Sequence, residues 1–188
     1  MIIEVDEYKK LLPEYDPNRS EDFHIESSKL ADKEFTKCLK SGKYRNVVLM
    51  SGGTASGKTE FANEYLSRKN ILVYDGTLKD YDGYKIKMQR ITRYGKSIKS
   101  IKVVLIIPID KVKAFAAFLG RERKMKPEVF FDTQLKSKLV VYKILRESKT
   151  KVEIYFSNSD TTNQKLSYKK LNMRIGRKKV AKLLEAMV

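Results

Sequence analysis

Cysteine is almost missing from this sequence: Cys38 stands alone among 188 residues, so no internal disulfide can form and a reducing, intracellular setting is expected. A single thiol on an apolar helix face reads as a small buried side chain. Histidine is as scarce. His24 is the only one, which removes His/Cys metal clusters and a serine–histidine triad from the candidate chemistries. Ahead of a helix it reads as a surface or packing residue rather than a base. Tryptophan is absent and the other aromatics do not interleave regularly with basic residues, so no stacking platform for single-stranded nucleic acid can be read. No apolar run approaches the roughly 20 residues of a membrane span. Met1-Ile2-Ile3 passes straight into charge instead of the apolar core of a signal peptide. A soluble, cytoplasmic protein without membrane contact is expected.

Acidic residues are the other shortage, and it is local. Residues 1–60 hold 10 Lys/Arg against 11 Asp/Glu, whereas residues 61–188 hold 30 against 12, so the net charge of +17 arises after position 60. Such an excess favours anionic partners: nucleotides, phosphosugars or nucleic acid. A generally Lys-rich solvated surface is the plainer account of the same charge.

What the sequence does contain is one highly specific motif. Gly52-Gly53-Thr54-Ala55-Ser56-Gly57-Lys58-Thr59 follows the apolar run Val47-Val48-Leu49-Met50 and fits G-x-x-x-x-G-K-[ST] at each fixed position. A glycine-rich turn at a strand end lets backbone N–H groups curl round a phosphate while the following helix directs its positive end at the same anion. In that setting Lys58 reaches the β and γ phosphates of ATP and the Thr59 hydroxyl holds Mg²⁺.

Around this loop the chain alternates strands and helices, which indicates parallel βαβ units. Residues 1–26 carry Pro13, Pro17 and seven acidic positions between Glu4 and Asp22 and read as an irregular N-terminal arm. A helix from Ser27-Ser28 to Gly42 leads into the first strand, Val47–Ser51. After the loop come a helix to about Arg68, a strand Ile71–Tyr74 ending on Asp75-Gly76-Thr77, and a helix with Tyr84, Met88, Ile91 and Tyr94 on one side, stopped at Gly95. The continuous apolar run Val103–Ile107 reads as a parallel strand covered on both faces by helices. Asp110 caps a helix with the stripe Val112, Phe115, Ala116 and Leu119. Asp132 caps another with Leu135, Leu139, Tyr142 and Leu145. Val152–Phe156 is a fourth strand, followed by a polar loop Ser157–Asp160 and, from about residue 163, a basic C-terminal helical segment. That segment has eight basic and no acidic residues between Lys165 and Lys182, and its last helix is apolar at Val180, Leu183, Leu184 and Met187. The expected fold is therefore α/β, a three-layer P-loop NTPase architecture over residues 27–188, with a short, mainly parallel sheet of about four strands flanked by helices. Ligands in such sheets collect at the carboxyl ends of the strands.

Four further residues stand where chemistry is expected. Asp75, at the end of the strand beside the loop, can bind Mg²⁺ or take a proton from an attacking hydroxyl; in the plainer reading it is half of an Asp-Gly turn. Thr77 can touch substrate or cap the next helix. Arg121 and Arg123 can neutralise charge on a phosphoryl group in transfer, or they belong to a solvated Arg-Glu-Arg-Lys run.

The order of these parts resembles the zeta-toxin group of P-loop kinases: the GGTASGKT loop, the strand ending in Tyr74-Asp75-Gly76-Thr77, the strand running into Pro108, a helix closing on arginines, and the basic-Pro segment Arg123-Lys124-Met125-Lys126-Pro127 entering another helix. The resemblance covers about residues 22–160, and only the phosphate loop is highly specific. It implies an ATP- and Mg²⁺-dependent kinase, as zeta toxins phosphorylate UDP-N-acetylglucosamine. One departure matters. Zeta toxins have a further strand, carrying the catalytic base, between the phosphate-loop helix and the D/E-G-T strand, and here residues 60–74 leave room for one helix and one strand only. The sequence thus reads as a compact kinase. Lys58, Asp75, Arg121 and Arg123 are its catalytic candidates, Gly52–Thr59 hold nucleotide, Thr59 and Asp75 hold metal, and the acceptor is a small or nucleotide-linked molecule. The alternatives are a nucleic-acid-directed relative, such as a 5′-hydroxyl kinase or a nucleotide-dependent binding module, and a nucleotide-binding pseudo-enzyme.

Overall fold

The computed structural model describes residues 1–160 and 165–188. Six strands form one sheet in the order β1-β3-β2-β4-β5-β6: β1 Ile2–Glu4, β2 Asn46–Ser51, β3 Ile71–Asp75, β4 Ser100–Pro108, β5 Lys151–Asp160 and β6 Lys165–Lys170. All neighbouring pairs are parallel except β5 with β6. The helices are α1 His24–Lys40, α2 Lys58–Phe61, α3 Tyr81–Tyr94, α4 Lys111–Leu119, α5 Pro127–Glu147 and α6 Arg177–Glu185, with α2 prolonged by a π-helical turn, Ala62–Leu66.

The sheet has six strands rather than about four, and the two additional ones lie at its edges. The N-terminal segment is not a peripheral arm at its start: Ile2, Ile3 and Glu4 pair in register with Val73, Tyr74 and Asp75, and Ile3 is fully buried. The basic tail does not begin as a helix either. Its first part is β6, which returns antiparallel along β5, so Ser157 and Asn158 are strand residues rather than a polar loop; residues 163 and 164 lie outside the described residues. Farther on, Arg177 turns inward and donates hydrogen bonds to the carbonyls of Ile144, Leu145, Ser148 and Thr150, at 2.7–3.3 Å. These satisfy the carbonyl groups that α5 leaves open at its C-terminus.

Helices cover the two faces of the sheet unequally. On one face Val47, Leu49, Val103, Leu105, Val152 and Ile154 pack under α1, α3, α5 and α6. On the other, Val48, Met50, Val73, Val104 and Ile106 pack under Phe61, Ala62 and Leu66 of α2 and its π turn, with Ile2, Ile71, Tyr155 and Tyr168 alongside. Beyond that helix the second face closes with charge: Glu153 receives Lys102 at 2.9 Å and Lys170 at 3.0 Å. The expectation of helices over both faces of β4 therefore holds for its middle and not for Lys102.

Two helices face differently from their apolar stripes. In α4 the buried residues are Ala114 and Phe118, while Val112 and Leu119 are exposed, because the helix packs on Phe130 of α5 and not on the sheet. In α5, which starts at Pro127 rather than at Asp132, the buried face includes Thr133 and Ser137. The expected Asp110 cap is present, accepting from the Lys113 amide at 2.9 Å. Between α3 and β4 the Gly95 stop is also present. No helix among the described residues is long and apolar enough to cross a membrane.

Strand β2 has β3 on one side and β4 on the other, so the chain reverses its direction of winding there. Crevices at such switch points, outside the carboxyl ends of the strands, are where open α/β sheets bind ligands. The glycine-rich loop leaves β2 at that end.

Candidate functional site

The loop from Gly52 to Gly57 has positive φ at Gly52 (139°), Ala55 (59°) and Gly57 (85°). A side chain at Gly52 would stand 2.5 Å from the Ile106 carbonyl oxygen, and one at Gly57 would stand 2.8 Å from Leu166, so both positions require glycine for reasons of space as well as φ. The result is a concave run of backbone N–H groups of the kind that holds anions. Among the described residues the amides of Ala55, Gly57, Lys58 and Thr59 find no acceptor, and buried Ser56 Oγ has no partner.

Neighbouring elements hold this cradle in shape. The Thr54 amide donates to Thr133 Oγ1 of α5 (3.0 Å), and Gln134 Nε2 of α5 donates to the Thr54 carbonyl (3.0 Å). Ser157 Oγ of β5 donates to the Ser56 carbonyl (2.8 Å), and Tyr168 Oη of β6 donates to the Gly57 carbonyl (2.7 Å). The loop amide of Gly52 donates to the Thr77 carbonyl at 3.3 Å. Thr77 thus supports the loop through its backbone, while Asp80 caps α3.

Lys58 and Thr59 open α2. Lys58 Nζ donates to the Gly53 carbonyl at 2.8 Å, and Thr59 Oγ1 donates to Asp75 Oδ2 at 2.7 Å. Burial lowers the Lys58 pKa, with the nearby Asp75 charge opposing that shift. Burial likewise raises the Asp75 pKa, against the pull of Lys58 and the hydrogen bond from Thr59. Thr59 and Asp75 together offer two hard oxygens, which suits Mg²⁺: that ion takes one or two protein ligands and completes its shell with phosphate and water. Among the described residues no group of three or more His, Cys, Asp or Glu could hold a metal ion alone.

These groups open into a cavity of about 420 Å³, whose wall also carries Glu4, Asp6, His24, Thr77, Arg121 and Arg123. Of the residues singled out in the sequence, the cavity wall brings together Thr54–Thr59, Asp75, Thr77, Arg121 and Arg123; Gly52 and Gly53 belong to the same loop but not to the wall, which adds several residues that were not singled out. His24 lines this wall while remaining exposed, in keeping with its reading as a surface residue; partial desolvation lowers its pKa, with the charge of Lys9 adding to the shift. The two arginines differ. Arg123 is paired with Asp6, and although burial alone would raise the Asp6 pKa, the hydrogen bond and charge of Arg123, with Lys9, hold it far below the usual carboxylate range. Arg121 has no ion pair among the described residues; burial and the charge of Arg123 both weigh against its own charge, so an anion in the cavity would relieve it, as it would Lys58.

The N-terminal segment sets the position of this arginine loop. Lys9 is buried and bridges Asp6 (3.2 Å) and Ser20 Oγ (3.0 Å). The amides of Lys124 and Lys126 donate to the Pro17 carbonyl and to Glu21 Oε1, both at 2.9 Å. The Lys124 and Lys126 links were not legible from the sequence, since they join residues about a hundred positions apart by single polar contacts.

Asp75 gives a direct test of the electrostatics. Its folded pKa lies above its unfolded value, so the ionised carboxylate opposes folding once the pH exceeds the unfolded value, and the cost grows until the folded pKa is passed. Asp75→Asn is expected to raise the melting temperature of the ligand-free protein at neutral pH and to give no gain in acid, below about pH 3, where both states are protonated. Thermal melts across that range check it; a lower melting temperature at neutral pH would contradict the assignment.

No protein-family model matches the chain, and no curated protein matches it closely enough to indicate a relationship.

Proposed function

We propose that this protein is a compact P-loop phosphotransferase, similar to zeta-toxin kinases, which binds ATP with Mg²⁺ and transfers the γ-phosphoryl group to a hydroxyl of a small or nucleotide-linked acceptor. The observation that carries the reading is the 2.7 Å contact of Thr59 with Asp75, at the head of the helix that also presents Lys58. A loop of free amides, a lysine, and a hydroxyl–carboxylate pair in one cavity match what a triphosphate and its metal require.

In this reading the amides of Ala55, Gly57 and Lys58 hold the phosphate chain, and Lys58 leaves the Gly53 carbonyl for the β and γ phosphates. Thr59 and Asp75 would hold Mg²⁺, which would supply neutralisation of phosphate charge. Arg121 faces the transferred group, where a planar guanidinium can bridge its oxygens, and Arg123, held by Asp6, lines the same wall. The acceptor enters from the side of β1 and α1.

Calorimetric titration with ATP and Mg²⁺ tests the nucleotide site, and saturable binding that requires Mg²⁺ is expected. Incubation with γ-labelled ATP and a mixture of sugar nucleotides, nucleosides and 5′-hydroxyl oligonucleotides then identifies the acceptor by what becomes labelled. Absence of binding overturns the proposal. Binding with no label transferred to any acceptor reduces it to a nucleotide-binding module.

A further inference from the structure

We propose that Glu4 is the proton acceptor of this site, delivered by a strand that precedes the glycine-rich loop in the chain. The inference rests on the phosphotransferase reading and adds the base that residues 60–74 have no room to supply. β1 pairs in parallel with β3 so that Glu4 stands level with Asp75. Residues level with each other on neighbouring strands project to the same face, roughly 5 Å apart. Glu4 is half-buried, and it lines the cavity with Lys58, Thr59 and Arg121.

The other carboxylates of the cavity wall are occupied or turned away. Asp75 accepts from Thr59, Asp6 is paired with Arg123 and Lys9, Glu21 accepts the Lys126 amide, and Asp80 caps α3. Glu60 is exposed on the first turn of α2. Glu4 alone combines partial burial with no hydrogen-bond or ion-pair partner among the described residues.

The order of the strands gives Glu4 its place in the reaction. Across the sheet run β1, β3 and β2, so Glu4, the Thr59–Asp75 pair and the glycine-rich loop follow one another. If the loop that leaves β2 holds the diphosphate leaving group of a nucleoside triphosphate, that group lies on the β2 side. In-line displacement requires the attacking hydroxyl on the opposite side, which is the side of β1. As the acceptor oxygen bonds to the γ-phosphorus, its proton passes to a Glu4 carboxylate oxygen. The bond from phosphorus to the β,γ-bridging oxygen breaks, and its electron pair leaves with the nucleoside diphosphate.

Glu4→Gln keeps the size of the side chain and removes its capacity to take a proton. The first measurement is affinity for ADP with Mg²⁺, with and without fluoroaluminate, which mimics the phosphoryl group in transfer and holds a water in the attacking position. The wild type is expected to bind ADP more tightly when fluoroaluminate is present, since mimics of the transition state gain affinity over ground-state ligands. The variant is expected to keep its affinity for ADP and Mg²⁺ alone and to lose about tenfold or more of the fluoroaluminate gain. The second is hydrolysis of ATP by water, whose turnover rate is expected to fall by about 10² or more with KM unchanged, and to be restored in part by Glu4→Asp. An undiminished gain in Glu4→Gln overturns the proposal, as does a wild type that binds ATP with Mg²⁺ yet gains nothing from fluoroaluminate. A variant rescued by raising the Mg²⁺ concentration also overturns it, by assigning Glu4 to the metal. Loss of ATP binding in the wild type would instead be a failure of the phosphotransferase reading itself.

Discussion

Replacing Lys58 by alanine is expected to abolish nucleotide-dependent behaviour while leaving the protein folded. Among the described residues the Lys58 side chain makes a single hydrogen bond, to the Gly53 carbonyl, and its pKa is depressed by burial. A lysine whose folded pKa lies below its unfolded value opposes folding at pH values where the unfolded chain carries the charge, so its removal should not lower stability at neutral pH. The nucleotide feels the opposite effect. An ammonium group placed against the β and γ phosphates in a partly dehydrated cavity acts on charge that grows as the phosphoryl group leaves, and removal of one such donor costs about 10²–10³ in rate. Ligand-induced stabilisation makes this measurable without knowledge of the acceptor. ATP with Mg²⁺ at about a hundred times its dissociation constant adds about 2.7 kcal/mol, which raises the melting temperature of a domain of this size by roughly 5–10 °C. Lys58→Ala should melt at or slightly above the ligand-free wild type and show none of that rise. A variant still stabilised by ATP would mean that the loop does not hold the triphosphate through Lys58.

The centre of the sheet was legible because it is written in local patterns. Val47–Met50, Ile71–Tyr74 and Val103–Ile107 are apolar runs of strand length, and each ends on a loop or turn at the cavity side. The α3 stripe and its Gly95 stop follow from helical spacing. What escaped is what depends on partners. Three residues, Ile2–Glu4, carry no periodicity, and their neighbours are charged, so only pairing with β3 makes them a strand. Lys165–Lys170 alternates Leu166 and Tyr168 with polar residues, which is a strand signal, yet its lysines made it read as a basic tail. In α5 the face toward the glycine-rich loop is polar, at Thr133 and Gln134, because it serves the loop's backbone; apolar spacing alone could not locate it. The candidate site divides in the same way. Gly52–Thr59, Asp75, Thr77, Arg121 and Arg123 were found by motif and position, whereas Glu4, Asp6 and Lys9 come from the segment that looked least like part of a core.

That segment can be tested by its contribution to stability. Ile3 is fully buried among Ala31, Phe35 and Tyr74, and truncating such a side chain to alanine leaves a cavity that costs about 2–5 kcal/mol. Against a total stability of about 5–15 kcal/mol for a single domain, Ile3→Ala is expected to lower the melting temperature by roughly 5–15 °C and to shift the urea midpoint with little change in slope. Leu11 is the control. It lies in the same N-terminal segment but is 70% exposed, so Leu11→Ala should change stability by about 0.5 kcal/mol or less. The effect of Ile3→Ala should also reach the cavity, because the strand that buries Ile3 is the one that presents Glu4 and leads to the Asp6–Arg123 pair. Loosening β1 is therefore expected to weaken the gain in ADP affinity that fluoroaluminate brings more than affinity for ADP alone, which depends on the loop after β2. Equal stability of the two alanine variants would return residues 1–26 to the role of an appended arm and detach Glu4 from the site.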